Sequence, residues 1–242
     1  MIQAHLAPPA IVKYLPRLSG QDNQGIGLTR HGERYLLKTD PGICVAEFVG
    51  AMLCQACEVP MASPQVVEFR GRKIFGSRLE SGVELPGDVS QLHNQIGMCA
   101  NATIFSAVLA IDLAVGNDDR HWHNWLPQPQ PNGEIFLRAV DFSRAWPTQH
   151  PPLSFDSIRG ENTERVWRQW EALGVKYDRD SAIDACARLG RLDASWLGMI
   201  FEQLPAEWME TVAGNDLVTW WRLGWDQRID AVSNFLEQGA WK

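Results

Sequence analysis

The sequence has no basic block longer than the pair Arg72–Lys73, and its 22 lysines and arginines are outnumbered by 29 acidic residues, for a formal net charge of −7. A surface built to neutralise nucleic-acid phosphates is therefore not expected. No apolar run approaches the roughly 18 residues that a membrane span requires. The N-terminal stretch MIQAHLAPPAIVKYLPRL lacks the basic segment followed by an apolar core that marks a secretory signal. Cysteine is sparse, with five residues and no paired spacing, which argues against a disulfide framework and for a reducing compartment. Cys54-Gln-Ala-Cys57 has no second pair to complete a zinc shell, so both thiols are expected to be buried on a helix. No internal repeat is present, and PQPQPNG (127–133) is the only biased tract. These absences leave a soluble, cytoplasmic globular protein.

What is present is ordinary in bulk: 242 residues, 45% hydrophobic and 21% charged, enough for one large domain or two small lobes. The first third reads as β-rich. Ala10 to Leu18 has strand character, the polar turn SGQDNQG (19–25) follows, and Ile26 to Thr29 leads through His31-Gly32 into RYLLK, ending at Lys38. Asp40-Pro41-Gly42 breaks that strand. The spacing of Val45, Phe48, Val49, Met52, Leu53 and Ala56 then predicts a helix. Val66 to Phe69 and Lys73 to Phe75 read as a hairpin across Arg70-Gly71. Ile96 to Val115 is apolar nearly all round and predicts one helix buried in the centre of a lobe, stopped by Gly116. Two short strands follow, Trp125-Leu126 and Ile135 to Val140. From about Asn162 the chain is helical, and most of its eleven tryptophans lie there, spaced for core packing.

Between the buried helix and the short strands stands GNDDRHWHN (116–124). As a metal site it offers Asp118, Asp119, His121 and His123, with no further His or Cys nearby to close a tetrahedral shell. As a polar turn it needs no explanation, since Gly, Asn and Asp favour turns. As a phosphoryl-transfer loop it pairs Asp119, which would take the proton of an acceptor hydroxyl, with Asn124 five residues later, which would hold Mg²⁺. AVDFS then supplies a second metal-binding candidate, Asp141, at the end of an apolar strand. Transfer chemistry needs all three, because a carboxylate that holds metal cannot also receive the hydroxyl proton.

With NDDRHWHN followed by DFSRAW, the sequence resembles the HipA-like kinases, in a compact form limited to the catalytic core, and more distantly the phosphoinositide kinases. The resemblance implies an α+β, two-lobed protein-kinase-like fold, with a small β-rich lobe over residues 1–80 and a larger helical lobe over 81–242. It implies ATP and Mg²⁺ as cofactors, and transfer of the γ-phosphate to a Ser or Thr of a protein. A small-molecule or lipid kinase, or a non-catalytic binding module on the same scaffold, remains open.

The same resemblance assigns roles by position. Lys38 would reach the nucleotide phosphates and Glu47 would pair with it, even though Glu47 points away from the apolar stripe of its helix, among Gly50, Ala51 and Cys54. The loop containing Ser19, Gly20 and Gly25 would cover the phosphates, although it is poor in glycine, and Ser19 is a candidate autophosphorylation site. His121 would either take part in the loop chemistry or hydrogen-bond the backbone to fix the loop. Asp112, on the apolar helix, would brace the loop. Partners implied are a protein substrate and an antitoxin-like regulator, with no direct nucleic-acid or membrane contact. The Ala-Pro-Glu of protein kinases does not follow Asp141, so the acceptor cannot be read from that template.

Overall fold

The computed structural model describes residues 7–16, 25–85, 89–145, 154–155, 158, 161–210, 212, 214–239 and 241. Strands β1 (Ile11–Leu15), β2 (Gly25–Thr29), β3 (Arg34–Lys38), β4 (Ser63–Phe69) and β5 (Arg72–Leu79) form an antiparallel sheet in the order β1-β2-β3-β5-β4. The sheet curls until its edges meet: Ala10 bridges to Glu68, whose N–H donates to Pro9 O at 2.9 Å. Alternation along β3 sorts its side chains into two sets. Tyr35 and Leu37 join Val67 and Ile74 in one cluster, while Leu36 and Lys38 share the opposite face.

Helix α1 (Pro41–Ala56) crosses from β3 to β4. It starts where expected, because Asp40 Oδ1 accepts from Ile43 N–H at 3.0 Å and Pro41 occupies the first turn. Such a cap contributes roughly 1 kcal/mol.

Beyond residue 80 the chain is mainly helical: α2 (Val89–Ile96), α3 (Ile104–Val115), α4 (Glu161–Ala172), α5 (Arg179–Leu189), α6 (Ala194–Phe201), α7 (Ala206–Met209) and α8 (Gly214–Glu237). A two-stranded sheet of β6 (Trp125–Pro129) and β7 (Ile135–Ala139) interrupts them. α3 is buried on every side, as its sequence predicts, but it begins at Ile104 rather than Ile96. Ile96 instead ends α2, and the stretch after it pairs with β7: Ala100 N–H donates to Ile135 O and Ile135 N–H to Met98 O, each 2.9 Å. Asn101 Oδ1 accepts from Leu137 N–H and its Nδ2–H donates to Leu137 O, both at 2.9 Å, so one side chain imitates a neighbouring strand. Cys54 and Cys57 are buried free thiols, as expected. Trp167, Trp170, Trp208, Trp221 and Trp225 are buried in the large core, and Trp221 stacks on Trp225 with ring centroids 3.7 Å apart. Among the described residues no helix is long and apolar enough to cross a membrane.

Candidate active site

Gly116, in the left-handed conformation at φ 66°, ends α3 and releases the loop 117–124. The loop is held from beneath by a buried polar network. Arg120 is 6% exposed and grips Asp112 with two parallel bonds, Nε–H to Oδ2 and Nη2–H to Oδ1, each 2.8 Å. Its remaining nitrogen donates to Val140 O, and its planar guanidinium carbon lies 4.6 Å from the Phe142 centroid. Asn117 Nδ2–H donates to Asp112 Oδ1 at 2.8 Å and reaches Asp141 O at 3.4 Å. Trp170 Nε1–H closes the network on Arg120 O at 3.2 Å. Asp112 would be costly if left alone in an apolar helix. Here it is fully paired and ties the loop to the backbone of 140–141. The sequence called for a brace at Asp112. Its partners are Asn117 and Arg120, the one arginine within the motif.

Above that network the candidate residues converge. Asn124, 2% exposed, donates its Nδ2–H to Asp119 O, which leaves its amide oxygen outside that bond. Asp119 keeps 41% of its side chain exposed. Burial raises its carboxyl above the ordinary value, His121 counters this, and Asp141 adds to it. Of the two roles open to His121, a side-chain hydrogen bond to the backbone is not seen among the described residues. Its Nδ1 is buried without a partner among the described residues, and its Nε2 stands 3.9 Å from Asp119 Oδ2.

Asp141 takes a left-handed backbone at φ 70°, a conformation that Asp tolerates better than most residues and that turns its carboxylate back toward β3. Its Oδ1 accepts from Ser143 N–H at 3.2 Å and Ser143 Oγ–H at 2.7 Å, while Oδ2 lies 2.9 Å from Lys38 Nζ. Lys38 Nζ also lies 3.1 Å from Glu47 Oε1. Glu47 Oε2 in turn accepts from Phe142 N–H at 3.0 Å. One ammonium thus stands between two carboxylates from different lobes. Burial alone would lower the pKa of Lys38, but the two carboxylates more than reverse that and raise it. Burial raises Glu47 to about 7 despite Lys38, whereas Lys38 and Ser143 overcome burial at Asp141 and hold it below the usual carboxylate range. Gly50, one turn after Glu47, explains the small-residue face of α1: Phe142 lies against it with no room for a Cβ.

Beside this polar centre an apolar cluster bridges the lobes. Leu36, Leu79 and partly buried Ile26 come from the sheet, Leu126 from β6, and Val140 from the residue before Asp141. Gly25 opens β2 next to this cluster at φ 121°, while Ser19 and Gly20 lie outside the described residues.

No group of three or more His, Cys, Asp or Glu is placed to hold a metal among the described residues, so a closed metal site in GNDDRHWHN is not formed. Asp141 supplies one carboxylate and Asn124 one amide oxygen, the oxygen donors that a hard divalent cation takes.

A small antiparallel lobe, a helix delivering a carboxylate to a strand lysine, and a polar loop beneath them define a two-lobed, kinase-like α+β fold. Neither protein-family models nor curated protein sequences give a match. Among solved structures, the chain is similar to the Helicobacter pylori proinflammatory kinase CtkA, with a TM-score of 0.58 at 13% identity over 96% of this chain and 97% of that one. It is also similar to HipA of Shewanella oneidensis, solved with HipB and its operator DNA, with a TM-score of 0.56 at 14% identity over 92% of this chain and 67% of that one. At such identities the likeness is one of fold.

Proposed function

We propose that the protein is an ATP- and Mg²⁺-dependent phosphotransferase that delivers the γ-phosphoryl group to a Ser or Thr hydroxyl of a protein. The observation that carries this reading is the buried Lys38 between Glu47 at 3.1 Å and Asp141 at 2.9 Å. A lysine fixed in that way can move its charge onto a polyphosphate while Glu47 keeps it in place. The base would lie in the apolar cluster of Ile26, Leu36, Leu126 and Val140, where its flat faces replace side-chain contacts. Asn124 and Asp141 would hold Mg²⁺, which supplies charge neutralisation across the phosphates. Asp119 would receive the hydroxyl proton as the new O–P bond forms, the bond to the β-phosphate oxygen breaks and ADP leaves. A protein regulator, as HipB is present with the Shewanella HipA, and a cytoplasmic setting complete the proposal.

Thermal unfolding with and without Mg–ATP tests the site directly. Ligand at a hundred times its dissociation constant stabilises a fold by about 2.7 kcal/mol, a Tm rise of roughly 5–10 °C at this size. The rise is expected to need Mg²⁺ and to be largely lost in Asp141→Asn. No rise in the wild type at millimolar Mg–ATP would refute nucleotide binding.

A separate variant isolates the chemistry. Asp119→Asn is expected to retain the Mg–ATP shift while losing transfer by about 10²–10⁴-fold, the usual contribution of a positioned base. Wild-type turnover in that variant, with any acceptor that the wild type uses, would remove Asp119 from the role.

A further inference from the structure

Lys38 and Glu47 both belong to the smaller lobe, yet the residues that brace them come from the far end of the chain. α1 packs against α5, α6 and α7 as well as against α3. At its C-terminal end, Cys57 Sγ–H donates to Ala185 O at 3.7 Å, and Glu58 pairs with Arg188 at 2.8 Å. From the other side, Trp208 of α7, 1% exposed, sends its Nε1–H to Lys73 O at 2.8 Å. The neighbouring Glu207 accepts from Lys73 N–H at 3.4 Å. Lys73 lies on β5, two residues before Phe75, and Phe75 is the strand partner of Lys38. The four-residue helix α7 therefore touches both the strand behind Lys38 and the helix that carries Glu47. A helix lying outside a sheet and attached only at its ends can swing and carry its glutamate away from the lysine. α1 has no such freedom, because its apolar side is part of one core with Leu197, Ile200, Leu204 and Trp208.

We infer that Trp208 is a positioning residue: α7 clamps α1 and β5 to the larger lobe, so that the Lys38–Glu47 pair is assembled by the fold itself without a separate activating event. The consequence for catalysis rests on the phosphotransferase reading, whereas the clamp can be measured without nucleotide. Hydrogen exchange of the full chain is compared between wild type, Trp208→Phe and Trp208→Ala. Phe keeps a ring in place and deletes the donor; Ala removes both. Amides of 41–56 and 72–76 are expected to exchange about tenfold faster or more in Trp208→Ala, the scale of losing one buried hydrogen bond with its packing, and less in Trp208→Phe. Amides of α3 and α8 keep wild-type rates.

The dissociation constant for Mg–ATP, measured by calorimetry on the same proteins, is expected to rise in the same order. Unchanged protection of α1, or equal loss of protection in α1, α3 and α8, overturns the clamp. Local loosening of α1 in a protein whose wild type binds no Mg–ATP upholds the clamp and sinks the phosphotransferase reading. If Trp208→Ala does not fold, Trp208→Phe decides: faster exchange confined to 41–56 and 72–76 supports the clamp, and wild-type rates there refute it.

Discussion

Lys38→Met is expected to destabilise the protein by about 3–5 kcal/mol at neutral pH, the scale of removing one member of a buried charge cluster. Lys38 and Glu47 are 4% and 2% exposed, and Asp141 is within 2.9 Å of the same ammonium. Deleting the cation leaves Asp141 without its counter-charge, and Glu47, already raised to about 7 with the lysine present, must take up a proton or stand as a second buried anion, while the methionine still fills the space. The pH dependence gives the prediction its sign. Asp141, held below the usual range by Lys38, contributes stability that is present above the ordinary carboxylate pKa and lost as pH falls through its own. Lys38, raised by its partners, contributes stability present below its ordinary value and lost as pH rises above it. In the methionine variant both contributions vanish and both carboxylates bind protons more readily than in the unfolded chain. The destabilisation should therefore be greatest above pH 7 and shrink toward pH 4. Urea unfolding at several pH values measures it, and adding Glu47→Gln in the variant background should recover part of the loss. A difference within about 0.5 kcal/mol at every pH, as for an exposed residue, would show that Lys38 is an ordinary strand-end lysine.

The sequence made some of this legible and not the rest, for physical reasons. β2, β3 and the hairpin of β4 and β5 follow from alternation and from turns at His31-Gly32 and Arg70-Gly71, because both signals are local. The carboxylates and amide of the site were legible because Asp119 and Asn124 share one loop and Asp141 ends the next hairpin. The small residues Gly50, Ala51 and Cys54 beside Glu47 are visible in the sequence, but what covers them is not, since Phe142 is 92 residues beyond Gly50. The start of α3 is not legible in the sequence, because an apolar run carries the same hydropathy whether it winds into a helix or lies beside β7. α7 left no trace at all: four residues have no periodicity, and what fixes them is the packing of one tryptophan.

Gly50→Ala puts the packing around Phe142 to its sharpest test, because helix propensity and tertiary contact demand opposite results. In an exposed helix interior, replacing glycine by alanine stabilises by about 1 kcal/mol. At Gly50, a Cβ would stand 2.2 Å from Phe142 Cγ and 2.6 Å from Phe142 Cβ. Phe142 Cβ is fixed by the backbone and moves with no rotamer of the ring, so either α1 or the segment 141–143 must shift. That shift pulls Phe142 N–H from Glu47 Oε2, now 3.0 Å away, and carries the left-handed Asp141 with it. Overpacking of this kind costs about 1–3 kcal/mol, which outweighs the propensity gain. The expected result is a lower Tm together with a weaker Mg²⁺-dependent response to ATP, because Asp141 and Lys38 are displaced from each other. Gly50→Ser should behave alike, since the same Cβ is present. A Gly50→Ala protein that is more stable than the wild type and keeps its Mg–ATP shift would mean that α1 does not rest on Phe142, and that the link from Glu47 to Asp141 is looser than the 3.0 Å bond implies.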